Sequence, residues 1–180
     1  MSSDVKVPPV KLVLRLRDFS EEAWLGDLAV SERAGIRFRS FAELGDSEEN
    51  RRRLYALNKE CSADIPGRGP FYSFEEYRQQ RLEVEQFLPD GVFLALKDDE
   101  WIGMAGISYR KGRDYAFHEM TGVVRSWRRR GVATSLKVLA IRFARSLGVD
   151  SIRTVHAAAN QAAIAMNRRL GFVDLPDEAD

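Results

Sequence analysis

The sequence predicts an α/β domain. Apolar residues recur at helical spacing in several segments and alternate at strand spacing in others, and the two patterns follow one another along the chain. Its 180 residues are the length of one domain with a sizeable core, and no internal repeat or low-complexity tract interrupts them.

In order, "VKLVLRLR" (Val10 to Arg17) alternates apolar and basic residues, as a strand with one buried face does. Ser20 to Ala34 reads as a helix with Ser20 as N-cap and Glu21 and Glu22 in its first turn, where the helix dipole favours negative charge. Ile36 to Phe41 is expected as a second strand. In "DSEENRRRLYALNKECSADI", Leu54, Leu57 and Cys61 fall on one helical face. "PGRGP" (Pro66 to Pro70) breaks the chain into a loop. "SFEEYRQQRLEVEQF" then opens a helix in which Ser73 and Glu76 fit a capping box. "GVFLALKDDEWIGMAGISYR" and "DYAFHEMTGVV" read as three antiparallel strands, turning at Asp98 to Glu100 and at Lys111 to Arg113. "VATSLKVLAIRFARSLG" is a helix closed by Gly148.

Composition limits the function. Hydrophobic residues at 44% and charged ones at 31% mark an ordinary soluble globular protein. With 28 Lys and Arg against 27 Asp and Glu, the net charge of +1 sets up no field for a polyanion, so nucleic acid is not expected as a partner. The single cysteine, Cys61, cannot form an internal disulfide or build a metal site by itself; it reads as a packed helix residue. No stretch is long and apolar enough for a membrane span, the first residues lack the apolar core of a signal peptide, and cytoplasmic is the default expectation.

One stretch carries chemistry. In "RSWRRRGVATSLK" (Arg125 to Lys137) a strand ending at Val123 and Val124 passes through a basic turn into a helix. Such a turn presents unpaired backbone N–H groups at the positive end of the helix dipole, which is a site for phosphate. Gly131 and Ala133 let a ligand approach the backbone, and Thr134 and Ser135 add hydroxyls. The Walker pattern is excluded because Gly131 is followed by Val132 and Ala133, and the dinucleotide fingerprint because only one of its glycines is present.

What fits is R-x-x-G-x-A, Arg128 to Ala133, with Val123 five residues before the arginine and Trp127 just before it. Downstream, "RTVHAAANQAAIAMNRRLGF" (Arg153 to Phe172) supplies a strand, a helix and an "N-x-x-L-G-F" ending. On these two matches the sequence resembles the GNAT superfamily of N-acetyltransferases, over about Ile36 to Leu175. The resemblance implies a mixed central sheet with helices on both faces and a V-shaped splay between its two central strands. It divides the chain into an N-terminal strand and helix extension, residues 1–35, and an acyltransferase domain, residues 36–180. It also implies acetyl-CoA as cosubstrate. Thr121, Gly122 and Val123 would hydrogen-bond its pantetheine arm, and the turn Arg128, Arg129, Arg130, Gly131, Val132, Ala133 and Thr134 would take its pyrophosphate. Arg129 and Arg130 would neutralise phosphate from the solvent side. Asn160 and Asn167 would contact the cofactor arm, although Asn160 can equally be a helix cap and Asn167 a surface residue.

The implied reaction is acetyl transfer to an amine of a small molecule or peptide by direct attack on the thioester. Its base would lie on the strand before the turn, at His118 or Glu119. Strict alternation puts Glu119 on the face of Thr121 and Val123 and His118 on the other, unless a bulge intervenes, so Glu119 is the expected base. The tyrosine acid frequent in the family would fall at Asn167. In "IPGRGPFY" (Ile65 to Tyr72), Arg68, Phe71 and Tyr72 would wall the acceptor pocket or merely pin the loop. A domain of this kind that binds acyl-CoA as a sensor or scaffold, without turnover, is the alternative.

The two ends depart from the family pattern. After Phe172 only "VDLPDEAD" remains, too short for the family's last turn and strand, while Val10 to Arg17 is a strand the basic fold does not require. Val10 to Arg17 is therefore expected to take the vacant place, in its own subunit or by exchange that would make a homodimer. Pairing at the opposite edge, or membership of a preceding domain, is the other reading.

Overall fold

The structure is a computed structural model that describes residues 7–176. The acidic end, Asp177 to Asp180, lies outside the described residues. Seven strands form one mixed sheet: β1 (Val10–Arg15), β2 (Ile36–Ser40), β3 (Val92–Lys97), β4 (Glu100–Ser108), β5 (Tyr115–Val123), β6 (Ser151–His156) and β7 (Val173–Asp174). Their spatial order is β2-β3-β4-β5-β6-β1-β7. All neighbours are antiparallel except β5 and β6.

The first strand lies beside β6, the neighbour expected for it. β1 pairs with β6 from Val10 opposite His156 to Arg15 opposite Ser151, in its own chain, and with the two residues of β7 on its other side. A strand flanked on both sides is no longer half-buried, and Leu12, Val13 and Leu14 are all buried.

The helices are α1 (Leu25–Arg33), α2 (Phe41–Leu44), α3 (Glu48–Ser62), α4 (Phe74–Tyr77), α5 (Val132–Ser146) and α6 (Gln161–Arg169). A Cβ on Gly103 would meet Leu136 of α5, and one on Gly122 would meet Cys61 of α3. Gly103 is paired with Val123, the neighbour of Gly122, so by alternation α5 and α3 cover opposite faces of the sheet. Phe41, Leu94, Ile102, Leu136, Ile141 and Ile152 are fully enclosed between them. Among the described residues no helix is long and apolar enough to cross a membrane.

Three expected boundaries move, each for a local reason. Ser20 is not an N-cap. Residues Glu22–Trp24 form a 3-10 turn, and α1 starts after Trp24 with no side-chain cap, while Glu21 is drawn to Arg142 of α5. β2 stops at Ser40 because Ser40 and Glu43 make a capping box that starts α2. The Ser73 and Glu76 box forms as expected, but after one turn the helix widens into a π-turn, Arg78–Leu82, closed by the Glu83 amide on the Arg78 carbonyl. That wider turn brings both Tyr77 and Leu82, five residues apart, into the core.

Candidate active site

β5 and β6 pair only from Tyr115 opposite Ser151 to Phe117 opposite Arg153, and then diverge. The gap between them opens into a cleft of about 880 Å³ that continues to the N-terminus of α5. At its root the Thr154 hydroxyl donates to the His118 carbonyl at 3.0 Å. Beyond it, among the described residues, no strand pairs with the edge of β5 that faces β6 through Val123.

The turn at the outer end leaves its backbone amides unbonded. Gly131 takes a left-handed conformation (φ 79°) as N-cap of α5, and Arg129 is left-handed as well (φ 60°). No side chain caps this helix. Among the described residues no hydrogen bond satisfies the six backbone N–H groups from Arg129 to Thr134, which leaves a row of orphan donors at the positive end of the dipole. A Cβ on Gly131 would meet only Asp27 Oδ1, at 3.6 Å, so it is the backbone angle, not space, that requires glycine there.

Arg128 buttresses the turn from within. Its Nε donates to the Val123 carbonyl at 2.8 Å and its Nη1 to Asp64 at 2.8 Å, while its amide is bonded to the Arg125 carbonyl. Arg125 bonds the same carboxylate, and the two guanidiniums hold Asp64 well below the usual carboxylate range. Arg129 lines the cleft, whereas Arg130 stacks on the Trp127 ring at 4.9 Å and does not. Thr134 lines it too. Ser135 does not, since its hydroxyl is enclosed 3.2 Å from that of Ser31 on α1.

The inner end is set by a β-bulge. β5 spends one extra residue between Thr121, opposite Ala105, and His118, opposite Ile107. The bulge cancels the alternation expected from the sequence: the Thr121 hydroxyl lies 3.4 Å from His118 Nε2, so the two share a side, and both His118 and Glu119 line the cleft. Their environments differ. Glu119, 36% exposed, accepts from the Ser108 hydroxyl at 2.6 Å and from Arg81 at 3.3 Å. His118, 2% exposed, is held well below its usual pKa by burial and then by the Lys137 charge.

Asn160 caps α6, accepting from the Ala163 amide at 3.3 Å, and also lines the cleft. Asn167 is fully buried rather than a surface residue; its Nδ2 lies 2.6 Å from His156 Nε2, and its Oδ1 has no partner among the described residues. Burial pushes the His156 pKa down to about 4, with the Lys137 charge second. Cys61 packs against Gly122, and burial pushes its thiol up to about 12, which leaves it inert.

Residues 51–172 match the sequence profile of the acetyltransferase (GNAT) family. The chain belongs to that family. Its members take the acetyl group from acetyl-CoA, and the orphan amides at α5, the open edge of β5 and the unpartnered Asn167 Oδ1 all fit that group. Solved structures agree on the fold. One is the glucosamine N-acetyltransferase region of a fungal multi-domain β-N-acetylglucosaminidase (TM-score 0.64, 15% identity, 93% of this chain and 20% of that one). Another is the ribosomal-protein-S18-alanine N-acetyltransferase of Escherichia coli (0.61, 19%, 78% and 79%). A third is a GCN5-related N-acetyltransferase from Sphaerobacter thermophilus (0.63, 20%, 93% and 50%). The chain thus spans a fifth of the fungal protein and half of the Sphaerobacter one. No curated protein matches it by sequence.

The sequence reading missed the polar groups around the splay: Ser108 and Arg81 beside Glu119, His156 beside Asn167, and Lys137. Lys137 had a legible signal. It stands one helical turn from Ala133 and one from Ile141, on the face of α5 turned to the core.

Proposed function

We propose that this chain moves an acetyl group from acetyl-CoA to an amine of a small molecule or peptide by direct attack, in the cytoplasm, with Glu119 as the base. Bound acetyl-CoA supplies the acetyl group already activated as a thioester. The Arg129 to Thr134 amides, steadied by Arg128, hold its pyrophosphate, and Arg129 adds charge from the solvent side. The free edge of Thr121 to Val123 orients the arm, with Asn160 and Asn167 on the facing wall.

The observation that carries the reading is the position of Glu119. It stands where the open edge of β5 reaches the bulge, in the same cleft as the anion cradle, with its carboxylate fixed by Ser108 and Arg81 and still in contact with solvent. A carboxylate so placed takes a proton from an incoming ammonium directly or through one water. His118, enclosed and without such access, is the weaker candidate. On the acceptor side Arg68 stacks over Phe71 at 4.7 Å and Arg81 over Tyr72 at 5.7 Å, so the wall offers cations and aromatic faces together, suited to an acidic or aromatic amine.

Glu119→Gln keeps the shape and removes the proton acceptor. Turnover on an accepted amine should fall by about 10²-fold near neutral pH with acetyl-CoA affinity unchanged. An unaltered pH–rate profile in the variant would remove Glu119 from the role. A panel of amines that yields no coenzyme A release, beside a clear thermal shift with acetyl-CoA, would favour a binding module instead.

A further inference from the structure

Lys137 is 2% exposed and sits in the second turn of α5, yet it is part of the cleft wall. It lies five residues in from Val132, about 7.5 Å along the axis from the start of the helix. Its ammonium stands 5.3 Å from the centre of the Phe172 ring, and Asn167, whose carbonyl accepts from the Phe172 amide, lines the same cleft. The titratable groups that face it are His118 of β5 and His156 of β6, each pushed down first by burial and then by the Lys137 charge. Among the described residues no carboxylate pairs with Lys137. An enclosed amine with no anionic partner is costly, and a protein keeps one where an anion arrives with a ligand or is made in the reaction.

We infer that Lys137 is the cation, and the acid, for the thiolate that leaves when acetyl transfer breaks the carbon–sulfur bond, with Asn167 beside it in place of a tyrosine. The inference rests on the reading of the cleft as an acetyl-CoA site. The amine nitrogen forms the new C–N bond, the sulfur departs with the electron pair of the C–S bond, and the Lys137 ammonium gives that sulfur a proton. Glu119, once it has passed the proton of the incoming ammonium on to solvent, takes the surplus proton of the attacking nitrogen, and Lys137 recovers its own from solvent as the product leaves. Burial alone lowers the Lys137 pKa, to about 7, which lets the amine both hold and release a proton at neutral pH. Asn167 cannot donate a titratable proton, but its unpaired Oδ1 is an acceptor for an ammonium or thiol at the same wall.

The test uses free coenzyme A as probe and reads the ultraviolet absorbance of its thiolate against pH on the intact protein, with calorimetry to establish binding. A neighbouring ammonium should make the bound thiol about tenfold or more stronger as an acid than the free one. In Lys137→Met that gain should vanish while coenzyme A still binds. Lys137→Arg, which retains the charge but releases no proton at these pH values, should restore the thiolate signal without restoring turnover. A bound thiol that titrates like free coenzyme A in the unaltered protein overturns the inference, whatever the variants do. So does a shifted titration that survives in Lys137→Met. Failure of coenzyme A to bind at all is a different result, which removes the cofactor site itself and this role with it.

Discussion

Leu12 tests whether β1 is part of the sheet or an appendage to it. Its side chain is fully buried, and its backbone is paired with Thr154 of β6 on one side and Asp174 of β7 on the other. Leu12→Ala removes three carbons from a closed position, and such truncations cost about 2–5 kcal/mol in lost transfer energy and residual cavity. For a domain of this length each kcal/mol lowers the melting temperature by roughly 2–4 °C, so a mid-range loss is a drop of about 7–14 °C. Arg15→Ala, at the exposed end of the same strand, should stay within about 0.5 kcal/mol. Deleting residues 1–17 removes Leu12, Val13, Leu14 and Leu16 together, worth about 6–12 kcal/mol at 1.5–3 each, comparable to the whole stability of an ordinary domain. Urea unfolding followed by tryptophan fluorescence measures the point variants, and light scattering the deletion. A Leu12→Ala protein as stable as the original, or a soluble, monomeric and active deletion, would refute the placement of β1.

Two further outcomes follow from the cleft. Gly131→Val forces a β-branched residue into a left-handed backbone, so the turn should rearrange and acetyl-CoA affinity fall at least tenfold by calorimetry in a folded variant; unchanged affinity would dismiss the turn as the cradle. The depressed pKa values set a pH dependence of stability. The unfolded chain binds more protons than the native one between the His156 value of about 4 and the ordinary 6.5, and again between the Lys137 value of about 7 and the ordinary 10.5. Stability should therefore fall as pH drops through the first window and rise with pH above 7 at a slope approaching 1.4 kcal/mol per pH unit from Lys137. In urea titrations from pH 7 to 9 the stability advantage of Lys137→Met should narrow; a constant gap would mean that Lys137 is not held neutral by burial.

Much of the fold was legible because it rests on local rules. The Ser73 and Glu76 box, the Asn160 cap, the turn at Gly131 and the three-strand meander from Val92 to Val123 need only their own neighbours in sequence to form. The losses lie where tertiary contacts decide. Glu21 left its helix for Arg142, 121 residues away. The bulge in β5 adds one residue opposite Gly106, and nothing in "YAFHEMTGV" marks where it falls. Because the period of a strand is two, that residue alone moved His118 onto the side of Thr121 and made the face assignment of the base wrong in register. The same limit hid the wall of the cleft. Lys137, His156 and Asn167 come from three elements, and their common position follows from the splay, which no periodicity encodes.

The splay in turn depends on the N-terminal strand. A strand that leaves its neighbour in mid-sheet exposes a row of backbone donors and acceptors and loses its register unless something holds its other edge. β6 parts from β5 after Arg153, and the residues that go on to line the cleft are Val155 and His156. Opposite those residues, on the far edge, stand Lys11 and Val10, with Leu12 against Thr154 at the root. Val10 to Leu12 therefore fix the free half of β6, and through it the position of His156 and its bond to Asn167. The alternating "VKLVLRLR" thus lies inside the sheet, between β6 and β7, and also holds one wall of the cleft in place.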